Sequence, residues 1–83
     1  MSDPKPNLAR VTLRLFATLR ERRGTDAEVV EVPEGTTAAA LYASLFPAPR
    51  VPVGFAINLQ HCRSDQVLLD GDELALLPPL GGG

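Results

Sequence analysis

Residues Thr36–Phe46 read TTAAALYASLF and form the one long helical pattern in a chain of 83 residues. Ala38, Leu41, Tyr42, Leu45 and Phe46 recur at helical spacing and make a single apolar stripe. Thr37 stands at the N-cap position, with Ala40 where a capping box would need Glu or Gln. Pro47, Pro49 and Pro52 end the helix and enforce an extended link. On both sides of this segment the pattern turns to strands. Upstream, RVTLRLFA (10–17) alternates, with Val11, Leu13, Leu15 and Ala17 on one face and Thr12, Arg14 and Phe16 on the other. TLRERRGTDA (18–27) is a polar link with a helical turn over Leu19–Arg23 that Gly24 ends. EVVEV (28–32) is rich in β-branched residues and predicts a second strand.

Downstream, VGFAIN (53–58) is a short apolar strand with a central position, and QHCRSDQ (60–66) is a loop with a brief edge strand. VLLDGDELALL (67–77) places two apolar arms around Asp70-Gly71, which predicts a hairpin whose second arm is the last strand, 73–77. The order is strand, strand, helix and then further strands. It predicts an α+β fold, a mixed four- to five-stranded sheet with one main helix on one face. A single helix covers only one face. The other meets water or a partner, and Phe16, Leu74, Leu76 and Leu77 are the candidate partner-binding residues there. Residues 1–9, with Pro4 and Pro6, are expected to be a mobile lead-in, 10–78 the folded domain and 79–83 a flexible tail.

Composition narrows the function. The net charge of −2 lacks the basic bias of a nucleic-acid-binding domain. One cysteine, Cys62, cannot form an internal disulfide, which fits a reducing compartment. No run approaches the roughly 20 apolar residues of a membrane span, and MSDPKPNLAR lacks the apolar stretch of a signal peptide. A cytoplasmic protein without membrane or nucleic-acid partners is expected.

Charged and reactive side chains give few sites. His61 and Cys62 are the sole His and Cys, too few for a metal site, and no metal is expected. Cys62 has no evident basic partner to activate it. Arg20, Arg22 and Arg23 make a solvated turn or a patch that steers an acidic partner. Asp70, Asp72 and Glu73 resemble an acid-base group, but the turn accounts for Asp70 and Gly71. The only lysine is Lys5, so the body lacks the lysines through which a protein tag polymerises.

The chemistry sits in the tail. Pro78 and Pro79 favour an extended path, Leu80 is an apolar anchor, and Gly81, Gly82 and Gly83 follow. From Pro79 the tail reaches about 17 Å at roughly 3.3–3.6 Å per residue. Without a Cβ, glycine threads a channel too narrow for other residues. The Gly83 carboxylate is a poor electrophile until a partner adenylates it with ATP, after which a thiol or sulfide can attack. Read alone, three terminal glycines are equally a frayed end.

LRLFATLRERRGTD, VPEGTTAAALYASL and FAINLQHCRSDQVLLDGDELALLPPLGGG together resemble the MoaD/ThiS sulfur carriers, which are ubiquitin-like β-grasp proteins. The resemblance covers about residues 10–83 and is strongest to the MoaD branch, the sulfur carrier subunits of molybdopterin synthase. It departs at Gly81, where the family commonly has Ser, Thr or Ala. The resemblance implies that Gly83 bears the adenylate and then the thiocarboxylate, and that Pro79, Leu80, Gly81, Gly82 and Gly83 enter a partner. It implies a non-catalytic subunit with no bound cofactor. Its partners would be the synthase large subunit, in a heterotetramer, an E1-like adenylating enzyme that uses ATP, and a sulfurtransferase. Sulfur would go to the pterin precursor of the molybdenum cofactor. The same carrier chemistry could serve thiamine thiazole, tRNA thiolation or protein modification, and a β-grasp interaction module with an inert tail is the reading from another class.

Overall fold

The computed structural model describes residues 7–78. The elements run β1 (Leu8–Leu15), α1 (Ala17–Arg23), β2 (Ala27–Pro33), α2 (Ala38–Leu45), β3 (Gly54–Ile57), β4 (Gln60–Cys62) and β5 (Glu73–Leu77). The five strands form one mixed sheet in the order β2-β1-β5-β3-β4. Only β1 and β5 are parallel, so the last strand lies in the middle, antiparallel to β3 on its other side.

The alternation in β1 does what its period requires. Val11, Leu13 and Leu15 are buried, while Arg14 on the other face is exposed. The strand opens two residues earlier than its sequence pattern suggests. Leu8 and Ala9 pair with Pro33 and Val32, and Ala9 is buried, so the folded body includes part of the expected lead-in. Ala17 leaves the alternation. It is exposed, has φ 53° and starts α1, a seven-residue helix rather than a single turn. Gly24, in the left-handed conformation that glycine tolerates best, closes α1 by donating its N–H to Arg20 O.

α2 lays its stripe on the core face of the sheet. Ala38, Leu41, Tyr42 and Phe46 are buried, and Leu45 packs at the margin. Thr37 caps it by accepting the Ala40 N–H on Oγ1 at 3.1 Å. The Tyr42 hydroxyl, carried into the apolar layer, donates to Val51 O.

The hairpin expected around Asp70-Gly71 does not form. The turn is present: Asp72 N–H donates to Leu69 O at 3.0 Å, and Gly71 has φ 89°. Its two arms part, however. Val67 bridges to Thr37, Leu68 N–H donates to Thr36 O at 2.8 Å, and the Leu68 side chain is buried in the core. Both edges of β5 are taken by β1 and β3, which leaves none for the first arm. The turn instead docks on β1. The Arg10 N–H donates to Asp70 Oδ1 at 2.8 Å, and Arg10 O accepts from Gly71 N–H at 2.8 Å.

The hairpin that does form joins β3 to β4 through Asn58 and Leu59, with φ 52° and 71°. Left-handed backbone at both turn residues suits Asn but not leucine, and Leu59 is 90% exposed with little packing to compensate. Leu59→Gly is expected to stabilise the domain by about 1 kcal/mol, read from the denaturant midpoint at unchanged slope.

Candidate functional site

Two consequences of the topology define the site. β5 delivers the chain to Leu77 and Pro78 from the centre of the sheet. Both helices lie on the face that β1 buries, which leaves the opposite face open. Across that face the register aligns Ala27, Arg14, Ala75, Ala56 and His61 in one row. A neighbouring row holds Val29, Thr12 and Glu73. At the end of the sheet where the chain leaves, Leu77 lies opposite Gly54. Phe16 extends the β1 register by one residue past the Leu15–Leu76 pair, with extended backbone at φ −133° and ψ 155°. Phe16 is 41% exposed and Leu77 is half-buried, so an apolar edge stands beside the exit of the tail.

Of the four predicted partner-binding residues, Phe16 and Leu77 fall on this face. Leu74 and Leu76 do not: both are 0% exposed and belong to the core. The two-residue period of a strand places Leu74 and Leu76 on one side and Glu73, Ala75 and Leu77 on the other. The tail residues Pro79, Leu80, Gly81, Gly82 and Gly83 lie outside the described residues. Sequence reasoning set Thr12 on this face but missed Gly54, Ala56 and Ala75, which form with it a flat centre of small side chains. Each becomes part of a surface only through the register of β1, β5 and β3.

The charges on this face are paired by geometry. Arg14 lies 3.5 Å from Glu73, and Arg10 lies 3.4 Å from Glu31. These are exposed pairs and contribute little stability. They arrange alternating sign around the small-residue centre. The acidic group at the turn is structural. Asp72 accepts the Leu69 N–H at 2.8 Å and the Asn58 side-chain N–H at 2.9 Å, and the Glu73 N–H donates to Asn58 Oδ1 at 3.0 Å. These bonds lock the β3–β4 turn to the start of β5 and so fix where the central strand begins.

The remaining candidates separate. His61 pairs with Ala56 on the open face, whereas Cys62 packs against the core from the other. Burial pushes the Cys62 thiol up, partly offset by a hydrogen bond with the Ile57 backbone, and this disfavours the thiolate. Arg23 makes a two-pronged bond to Glu28 at 2.8 and 3.2 Å, which raises its already high pKa despite opposing desolvation. Arg22 stacks on Phe46, 5.7 Å from the ring centroid. Two of the three arginines expected to steer a partner are therefore engaged with the domain itself. Among the described residues no helix is long and apolar enough to cross a membrane.

Known proteins resemble this chain in sequence and fold. Residues 13–83 match the model of the ThiS family. A molybdopterin synthase sulfur carrier subunit of Chlamydomonas reinhardtii is 34% identical over 76 residues, spanning 82% of this chain and 92% of that one. Among solved structures, a putative molybdopterin converting factor, subunit 1, from Pyrococcus furiosus superposes with a TM-score of 0.74 at 27% identity, covering 87% of this chain and 99% of that one. A protein–protein complex of subunits 1 and 2 of molybdopterin-converting factor from Helicobacter pylori contains a chain that superposes at 0.60 with 22% identity, over 89% of this chain and 99% of that one. The fold is the ubiquitin-like β-grasp, and it carries two helices where the sequence pattern shows one main helix.

Proposed function

The chain belongs to the ThiS family, and from that membership we propose that it is a sulfur carrier which donates sulfur to a pterin precursor as the small subunit of a molybdopterin synthase. One observation carries this reading. The family match runs through residue 83, so it includes the glycines on which the chemistry depends. The relative at 34% identity, itself named a sulfur carrier subunit of that synthase, favours this destination over others.

The proposed chemistry has two steps. A carboxylate oxygen of Gly83 attacks the α-phosphorus of ATP on an activating enzyme and gives the acyl-adenylate with loss of pyrophosphate. A sulfide or persulfide sulfur then attacks the acyl carbon, AMP leaves, and a thiocarboxylate results once any S–S bond has been reduced by a thiol. The chain supplies no acid, base or nucleophile other than its own carboxylate. The body's part is to be gripped. The open face, with Phe16 and Leu77 beside the tail's exit, is the proposed docking surface for the synthase large subunit. A partner that covers the small-residue centre holds the base of the tail still while the tip enters its active site.

Incubation with an activating enzyme, ATP and a sulfur source is expected to yield a protein about 16 Da heavier, the exchange of one oxygen for sulfur. An unchanged mass under conditions that load a known carrier would reject the reading. Transfer from the loaded chain to a pterin precursor, with the large subunit present, tests the destination separately.

A further inference from the structure

The outer edge of β2 carries information that the carrier chemistry does not use. In an antiparallel pair the residues alternate in direction, one turning its N–H and C=O to the neighbour and the next turning them away. The Leu15 N–H donates to Asp26 O at 3.0 Å, and the Glu34 N–H to Asn7 O at 3.0 Å. With the β1–β2 register, this turns the peptide groups of Glu28, Val30 and Val32 towards β1 and those of Ala27, Val29, Glu31 and Pro33 outward. Both ends of this outward row are closed. The Ala27 N–H and C=O are both taken by the Thr25 hydroxyl, at 3.3 and 2.9 Å. Pro33 has no N–H, and its carbonyl accepts from the Thr36 N–H at 3.1 Å and the Thr36 hydroxyl at 2.6 Å. Between the two stops stand Val29 and Glu31, whose N–H and C=O groups have no partner among the described residues.

Edge strands are usually guarded by charge. Here the guard is weakened, because Glu31 is paired with Arg10 and Glu28 with Arg23. Beside the edge, a groove of about 550 Å³ between β2 and α2 is lined by Val30, Val32, Thr36, Ala40, Leu41 and Leu45.

We propose that this edge pairs with the β2 edge of a second copy of the chain, antiparallel about a two-fold axis midway between the two Val30 residues. The register decides the occupant. With Val30 facing the second copy's Val30, Val29 meets the second copy's Glu31 and Glu31 meets its Val29, so all four open donors and all four open acceptors are used. Ala27 then faces the second copy's Pro33, and each of those ends is already satisfied. Glu28 faces Val32, so no carboxylate lies directly opposite another. The two Val30 side chains meet over the adjoining grooves. The axis stands perpendicular to the sheet, which keeps the open faces of both copies on one side and free.

Sedimentation velocity of the full chain from about 10 µM to about 1 mM is expected to show a rise from one chain towards two. Amide exchange at the upper concentration is expected to slow at Val29 and Glu31. Val29→Pro removes an outward N–H without touching the β1 ladder, and Val29→Glu sets a carboxylate opposite Glu31 on an exposed position that leaves the core alone. Each variant, with its fold checked by circular dichroism, is expected to weaken association at least about tenfold. A chain that stays monomeric throughout overturns the proposal, as does a dimer that a folded Val29→Glu leaves unchanged. Sulfur loading is a separate measurement, so either reading can fail alone.

Discussion

Deletion of Gly83, or addition of one residue behind it, is expected to abolish sulfur loading while the melting temperature stays unchanged. One residue of extended chain moves the terminal carboxylate by about 3.3–3.6 Å. Acyl transfer needs the reacting atoms about 3–3.5 Å apart, and a misplacement of 1 Å costs on the order of a hundredfold. A full residue therefore removes the reaction rather than slowing it. The body is indifferent, because its core is complete by Leu76. Mass spectrometry of single-turnover reactions reads the loading and calorimetry reads the fold. Variants that load at the normal rate would show that the position of the carboxylate is not what the tail sets.

Adjacent leucines of β5 are expected to respond in opposite ways. Leu76 is fully buried, and Leu76→Ala leaves a cavity that costs about 2–5 kcal/mol. Against a total stability of about 5–15 kcal/mol for a domain, that is a large share, and the variant should melt well below the parent. Leu77 faces the open side. Leu77→Asp is expected to cost only about 1 kcal/mol of stability, but to weaken binding to the proposed large-subunit partner at least about tenfold by placing a charge in the apolar edge of the proposed docking surface. Thermal melts and titration calorimetry on the two proteins separate these effects. A Leu77→Asp variant that binds normally would move the docking surface elsewhere.

The contrast between these two residues shows where sequence reading stops. The period of β1 and the stripe of α2 are local patterns, and apart from Ala17 both place their residues as the structure does. Strand β5 has apolar residues on both faces, in the run Leu74-Ala75-Leu76-Leu77, so its parity cannot be read without its neighbours. The Asp70-Gly71 turn was legible for the same local reason as the helix, yet the partners of its two arms were not. Val67 and Leu68 go to the start of α2, and that choice is made by residues some thirty positions away. Apart from Thr12, the small residues of the open face gave no signal, because Gly54, Ala56 and Ala75 become a surface only when the strands align. Helix α1 was half visible, and its start at Ala17 is hidden by a strand pattern that continues through that residue.

The place of β5 also bears on the order of events during synthesis. The last strand among the described residues is the one that β1 and β3 both require, so the sheet cannot close while the ribosome still holds residues 73–77. Pairing of β1 with β5 joins segments about sixty residues apart, a long loop to close and a slow step in folding. A truncated translation product that ends before this strand is left with β1 and β3 unjoined. Any partner that recognises the assembled open face therefore meets only chains in which residues 73–77 have already been made, so the topology itself screens out shorter products.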